Sequence, residues 1–337
     1  MNNLNSSSVA RQNILNNKYA LSVLRQQLNP RALSFDGEVV FTKEMISDYF
    51  EVDTRTIERY VSDYRSELSA NGYRTISGQD LIRFKNENID SFGTDINVGT
   101  KTTILSIFNF RAFLDIGMLL SDSEVAKELR SAILDIVIDV INQRAGGKTK
   151  YINQRDSEFL VSWLRENDFR KEFTDALDLY VDMGPIKYGI FTNKIYTDIF
   201  SEKANEYRQI LKLSKNERIR DTMYAEVLTL IASYESGLAY ELQIAFEEKG
   251  CKLTQSETRQ VFEKYHSHPR NLPLLYDVRS KMASRDLAFR DALHQKLEDY
   301  IHPLSDDEYE KFIGEKSVSI EEQLEAAKDV FVRLKEY

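Results

Sequence analysis

Arg55 and Arg59 stand four residues apart, with Thr56 between them and Ser62 three residues beyond. In a helix, positions i, i+4 and i+7 share one face, so Arg55, Arg59 and Ser62 would project together. A guanidinium suits two parallel hydrogen bonds to guanine O6 and N7, and a threonine can meet a thymine methyl or a phosphate. Arg74, Arg83 and Lys85 follow within the same stretch and could hold phosphates. The chemistry these residues offer is recognition of double-stranded DNA, with no bond made or broken.

Other chemistries fail on spacing. Gly146-Gly147-Lys148-Thr149 lacks the glycine a phosphate loop needs at position 142, which is Asn142, and a helical pattern precedes it where a strand is required. It reads as a helix C-cap. His268-Pro269 runs on into Arg270-Asn271-Leu272-Pro273, without a Gly-Asn-Arg phosphate cradle, so adenylyl transfer is not expected. His266, His268, His294 and His302 have no thiolate to join them, and no metal or other cofactor is expected. Cys251 is the single cysteine, which excludes an internal disulfide. No nucleophile stands beside an evident base and orienting partner, so the chain does not read as an enzyme.

The arginines need a helix to present them, and residues 42–68 supply two. Met45, Ile46, Tyr49 and Phe50 recur at three- and four-residue steps, the buried stripe of a first short helix. Glu51-Val52-Asp53 interrupts it, and Asp53 or Thr54 can N-cap a second. There Ile57, Tyr60, Val61, Tyr64 and Leu68 form the apolar stripe, leaving Arg55, Thr56, Arg59 and Ser62 facing away. This is the layout of a helix-turn-helix, with Glu51 where such turns commonly carry glycine. Residues 73–78 read as a strand, and Leu81-Ile82-Arg83-Phe84-Lys85 alternates as a half-exposed strand does, which together would make a wing carrying Arg74, Arg83 and Lys85. A small α+β module that binds another protein would show the same pattern.

Composition bounds the partners. A hydrophobic content of 42% with 29% charged residues is that of an ordinary globular protein, and 337 residues suffice for two or three domains. The strongest apolar run, 133–141, is cut by Asp135 and Asp139, so no membrane span is expected. The start is rich in Asn and Ser, without a secretory pattern, and a cytoplasmic location is expected. A net charge of −9 argues against a general nucleic-acid coat protein. With so little local positive charge, a monomer would bind phosphates weakly, and a homo-dimer is expected.

Along the chain, residues 1–8 read as disordered and 9–28 as one helix, with a short strand within 35–41. Residues 86–101 form a polar connector with Gly93 and Gly99, 102–108 a strand, and Asn109 caps a helix to 120. Ser121 with Glu124 reads as a capping box opening a helix that ends at Gly146-Gly147. Beyond it, 156–165 and 169–180 read as a helical pair sharing Trp163, 186–191 as a strand, and 193–200 and 206–211 as short helices. Ser214 with Glu217 reads as the start of the longest helix, reaching 249, and Thr254 with Glu257, Ser305 with Glu308 and Ser319 with Glu322 repeat the capping device.

The segments FNFRAFLDIGMLL and SDSEVAKELRSAILDIVIDVI, after the strand at 102–108, resemble the second half of phage Bro- and RhuM-type DNA-binding modules. There a strand and helix precede a Ser-x-x-Ala-x-x-x-Arg helix, matched here by Ser123, Ala126 and Arg130. The tail from 289 to 335 resembles the RhuM family in KLEDYI, EYEKF and a Glu- and Ala-rich last helix. FTNKIYTDIF and KLSKNERIRDTM are similar to phage-associated proteins of the DNA-damage-inducible D type. The resemblance touches most of the chain and includes no catalytic signature. It implies a DNA-binding protein of phages and mobile elements, and an association with Fic or death-on-curing toxins that would make it an antitoxin or operon regulator.

The expected fold is mainly α: an N-terminal arm helix (1–34), a winged helix-turn-helix and Bro-like α+β module (35–150), and a helical C-terminal domain (151–337). The expected function is sequence-specific DNA binding in transcription regulation. The alternative is a protein-interaction module that neutralises a toxin.

Overall fold

A computed structural model describes residues 4–88, 102–292 and 294–328. The chain divides into two compact units, Met1–Val140 and Ile141–Tyr337.

The first unit opens with helices α1 (Ser8–Asn16) and α2 (Lys18–Leu28) in place of the single helix expected over 9–28. Asn17 divides them: its side chain accepts from Ala20 N and so caps α2. Order begins earlier than expected, because Leu4 is buried and its carbonyl accepts a bond from Arg11. Strands β1 (Leu33–Phe35) and β2 (Glu38–Thr42) form a hairpin closed by Asp36 and Gly37. Both have positive φ, 51° and 78°, as a two-residue hairpin turn requires.

Thr42 then caps α3 (Lys43–Phe50) through its hydroxyl, and α4 (Thr54–Asp63) follows. The second apolar stripe is not one helix, since the chain breaks at Tyr64 before α5 (Arg65–Ala70). Strand β3 (Tyr73–Ser77) lies where expected, but residues 81–85 are helical, inside α6 (Gly78–Glu87). The expected wing hairpin is therefore corrected, and Arg83 and Lys85 stand on a helix. Leu81, Phe84 and Asn88 are all buried, which is helical spacing. Five alternating letters were too few to separate the two periods. Asn88 staples this helix end to β1, accepting from Ser34 N and donating to Ser34 O. The polar connector with Gly93 and Gly99 lies mainly outside the described residues.

Strand β4 (Ile104–Asn109) inserts between β2 and β3, giving an antiparallel sheet of order β1-β2-β4-β3. Asn109 caps α7 (Phe110–Leu119) through its side chain, as expected. Every residue from Ala112 to Leu119 is buried, and Phe113 stacks on Phe41 and Phe50 at 4.6 and 5.3 Å between ring centroids. Gly117 has no alternative there, because a Cβ would lie 2.5 Å from Leu129 and 2.7 Å from the Phe50 ring. Helix α8 (Glu124–Arg144) is capped by Ser123, whose hydroxyl accepts from Ala126 N, and not by Ser121. It ends at Gly146-Gly147, both left-handed, as a C-cap.

Among the described residues the regular elements of the second unit are all helices, apart from a one-residue bridge between Val181 and Leu253. Helix α9 (Phe159–Tyr180) runs unbroken through the interruption expected near 166–168, because Glu166 is buried in its face instead of ending it. Trp163 is only half-buried and donates Nε1–H to Asp221 Oδ1 at 3.0 Å. Residues 186–191 are helical, in α10 (Ile186–Phe200), and α11 (Ala204–Ile210) follows. Ser214 N does bond Glu217, but only a 3-10 turn, Ile219–Thr222, results. The carbonyls of Asp221 and Met223 are taken by Asn153, so α12 (Ala225–Lys249) starts later than expected. Its length is about 37 Å at 1.5 Å per residue.

Helices α13 (Gln255–His266) and α16 (Ile320–Ala326) have the expected capping boxes at Thr254 and Ser319. Between them lie α14 (Leu272–Phe289) and α15 (Asp306–Phe312); at α15, Ser305 makes no capping bond and Glu308 binds Arg285 instead. Among the described residues no helix is long and apolar enough to cross a membrane.

Candidate nucleic-acid interface

The turn between α3 and α4 is held from three sides. Glu51 is left-handed, φ 53°, which lets Val52 N bond Ser47 O at 3.0 Å and close the end of α3. Ser47, small and buried, donates its hydroxyl to Val52 O. Asp53 caps α4 by accepting from Arg55 N at 2.8 Å. From outside the pair, Ser123 Oγ donates to Phe50 O at 2.7 Å, and Ser121 N donates to the Tyr60 hydroxyl at 3.2 Å.

Ile57 is fully buried and Tyr60 nearly so, which fixes the rotation of α4. Arg55, Arg59 and Ser62 are exposed, and Thr56 is half-buried beside them. Among the described residues neither arginine has a carboxylate within ion-pair distance; the Arg59 guanidinium lies 5.3 Å from the Tyr60 ring centroid. Glu58, on the same helix, is neutralised by Lys43 of α3. No spacing rule of a single helix marks that pair, since Lys43 and Glu58 stand on different helices.

The other candidates gather elsewhere. Arg74, on β3, and Arg83, on α6, lie 5.6 and 5.5 Å from the Phe35 ring centroid, beside the sheet-and-α6 core. Their charges are already matched: Arg83 binds Asp36 at 2.9 Å and Asp80 at 2.7 Å, and Arg74 is 3.9 Å from Glu38. Lys85 is half-buried on α6. The α4 residues pack on a different core, built by α1, α3, α5, α7 and α8. The structure thus joins Arg55, Arg59 and Ser62 on one helix face, and Arg74 with Arg83 over Phe35.

The Ser123, Ala126 and Arg130 pattern has a plain structural meaning. Ser123 caps α8 and clamps the end of α3, Ala126 is fully buried, and Arg130 caps α7 through the carbonyls of Gly117 and Leu120. Charged groups that periodicity did not single out lie below the surface. Arg11 is buried and forms two bonds of 2.8 Å to Glu67, with Asp115 at 3.6 Å. Burial pushes the Asp115 carboxyl up to about 6, against the Asn71 side-chain bond that lowers it.

In the second unit, Arg285 binds Glu226 and Glu308, while Asp286 holds Arg290, Tyr224 and His294. His294 sits between Asp286 and Glu202; burial works to lower its pKa, but the two acidic hydrogen-bond partners outweigh this and raise it to about 9. The remaining histidines are apart from it: His266 meets Tyr234, His268 its own turn, and His302 Ser284. A cleft of about 270 Å³ adjoins Arg285 and is lined by Lys281, His302 and Glu308, with Lys281 and Arg285 already in ion pairs. Cys251 is exposed.

No family model, no curated protein and no solved structure was found to match this chain.

Proposed function

We propose that α3 and α4 act as a helix-turn-helix and that the protein is a sequence-specific DNA-binding regulator carried by a mobile element. The observation behind this reading is the pair of exposed arginines, without an ion-pair partner among the described residues, on a helix whose rotation is fixed by Ile57 and Tyr60. Arg59 reads a base edge, and Arg55, nearer the start of α4, holds phosphate. Two arginines give little affinity at physiological salt, so the protein binds as a homo-dimer on a site with two halves. The resemblance of residues 102–141 to Bro- and RhuM-type modules points the same way. The second reading, a protein-interaction module that clamps a toxin, is favoured by the spent charges of Arg74 and Arg83.

The test is fluorescence anisotropy of the full chain on a duplex from upstream of its own gene, against random duplex. A bidentate arginine–guanine contact accounts for ~1–3 kcal/mol of discrimination, so Arg59→Ala lowers affinity for the preferred duplex by about tenfold or more and leaves random DNA nearly unchanged. Arg83→Ala, whose charge is internally matched, changes neither. Folded wild-type protein that shows no preference sinks the DNA reading and leaves the protein partner. A preference that survives Arg59→Ala removes base reading from that residue.

A further inference from the structure

Helices α9 and α12 each bury a glutamate: Glu166 is fully buried and Glu235 is 1% exposed. Glu166 Oε2 accepts from Arg220 Nη1 at 2.5 Å, and the same nitrogen reaches Asn167 Oδ1 at 2.9 Å. Glu235 Oε1 has only a long contact, 3.4 Å, with Arg170 Nη1. The second oxygens, Glu166 Oε1 and Glu235 Oε2, are buried with no hydrogen-bond partner among the described residues. An ionised carboxylate can only accept hydrogen bonds, so while both are charged neither buried oxygen can offer a donor; a protonated one gains a donor. Unpaired buried polar atoms are costly, and buried charges without close partners more so.

The surroundings decide where a proton would reside. Acting on Glu235 are Glu166 and Arg170 from α9 and Arg220 from the 3-10 turn, while α10 contributes the buried phenol of Tyr196. Asp221 acts on Glu166. Helix α13 meets α12 through the Tyr265 hydroxyl on Ser233 O, and α14 through Lys281 and Arg285 on Glu226. Burial raises the Glu166 carboxyl as well, but Glu166 has the tight guanidinium and Glu235 the loose one, so the proton resides on Glu235.

We propose that Glu166 and Glu235 form a proton-binding site in the packing of α9 on α12, occupied at neutral pH, whose emptying loosens that packing. Burial, and then the negative charge of Glu166, push the Glu235 carboxyl up to about 8, in keeping with this. A pKa raised in the folded state contributes stability that is fully present below the ordinary glutamate pKa and is lost progressively as pH rises from there to the folded value. The site therefore makes the helical unit progressively less stable from mildly acidic pH up to about pH 8.

Thermal unfolding of the full chain, wild type beside Glu235→Gln, tests this from about pH 4 to about pH 9. The amide is a neutral isostere of the protonated acid. Its melting temperature equals that of the wild type near pH 4, rises above it between about pH 5 and about pH 8, and stays several degrees above it near pH 9. Curves that fall in parallel overturn the proposal. Should the variant not fold, carbon NMR of wild-type protein labelled in its glutamate carboxyls decides: a resonance titrating near pH 8 supports the site, and all resonances titrating in the ordinary carboxylate range overturn it.

Discussion

Glu51 is where a single residue says most. A non-glycine residue in the left-handed region costs roughly 1–2 kcal/mol, and here it is exposed, with no compensating bond from its own side chain among the described residues. Glu51→Gly should raise the unfolding free energy by about 0.5–1 kcal/mol in urea titration, once the greater chain entropy of glycine is subtracted. An unchanged or lower midpoint would mean that the turn relaxes in solution. The sequence marks this position, since glycine is the common residue in such turns. It does not mark Glu166 or Glu235, because a glutamate in a helical stretch reads as solvated surface until the neighbouring helix is in place.

At the scale of elements, the corner between α7 and α8 is the one to perturb. One hydroxyl, that of Ser123, both caps α8 and ties down the end of α3, so Ser123→Ala removes two bonds and orphans the Phe50 carbonyl. The expected loss is ~1–3 kcal/mol by chemical denaturation. Ser121→Ala should lose less, its N–H contact to Tyr60 being retained. The sequence points to Ser121 with Glu124 as the cap; the cap is Ser123, which also reaches the Phe50 carbonyl. The same limit explains α6 and α10. Short runs such as LIRFK or IKYGIF carry both periods, and only the surface they pack on selects one. The long stripes of α8 and α12 were legible although their caps were not, since no strand could bury so many residues at 3.6-residue spacing, and the capping box of α13 was legible by itself.

For the whole molecule, the acidic balance of −9 conceals paired charges in the second unit. His294, held between Asp286 and Glu202, has a pKa raised above its ordinary value, so its stabilisation is complete below about 6.5 and lost as pH rises through about 9. His294→Gln should therefore cost on the order of 3 kcal/mol near pH 6, with the deficit shrinking between about pH 6.5 and about pH 9. A deficit independent of pH would reduce the histidine to a packing residue. This contribution is common to the wild type and Glu235→Gln, so it does not enter their difference. Composition could show the abundance of charge but not its pairing, which needs residues such as Glu202 and His294, far apart in the chain, brought together.

The division between the units has a consequence for descent. It falls at Val140 and Ile141, inside α8, and not in a loop. A recombination event joining this first unit to a different partner at that point would splice two half-helices, and both would have to agree in register and face. Gly146-Gly147, where Gly147 N closes the last turn on Asn142 O at 2.8 Å, is the nearest place where the chain can be rejoined with every helical hydrogen bond intact. Exchange of one of these units would leave its scars at the glycines, five residues or more past the division itself.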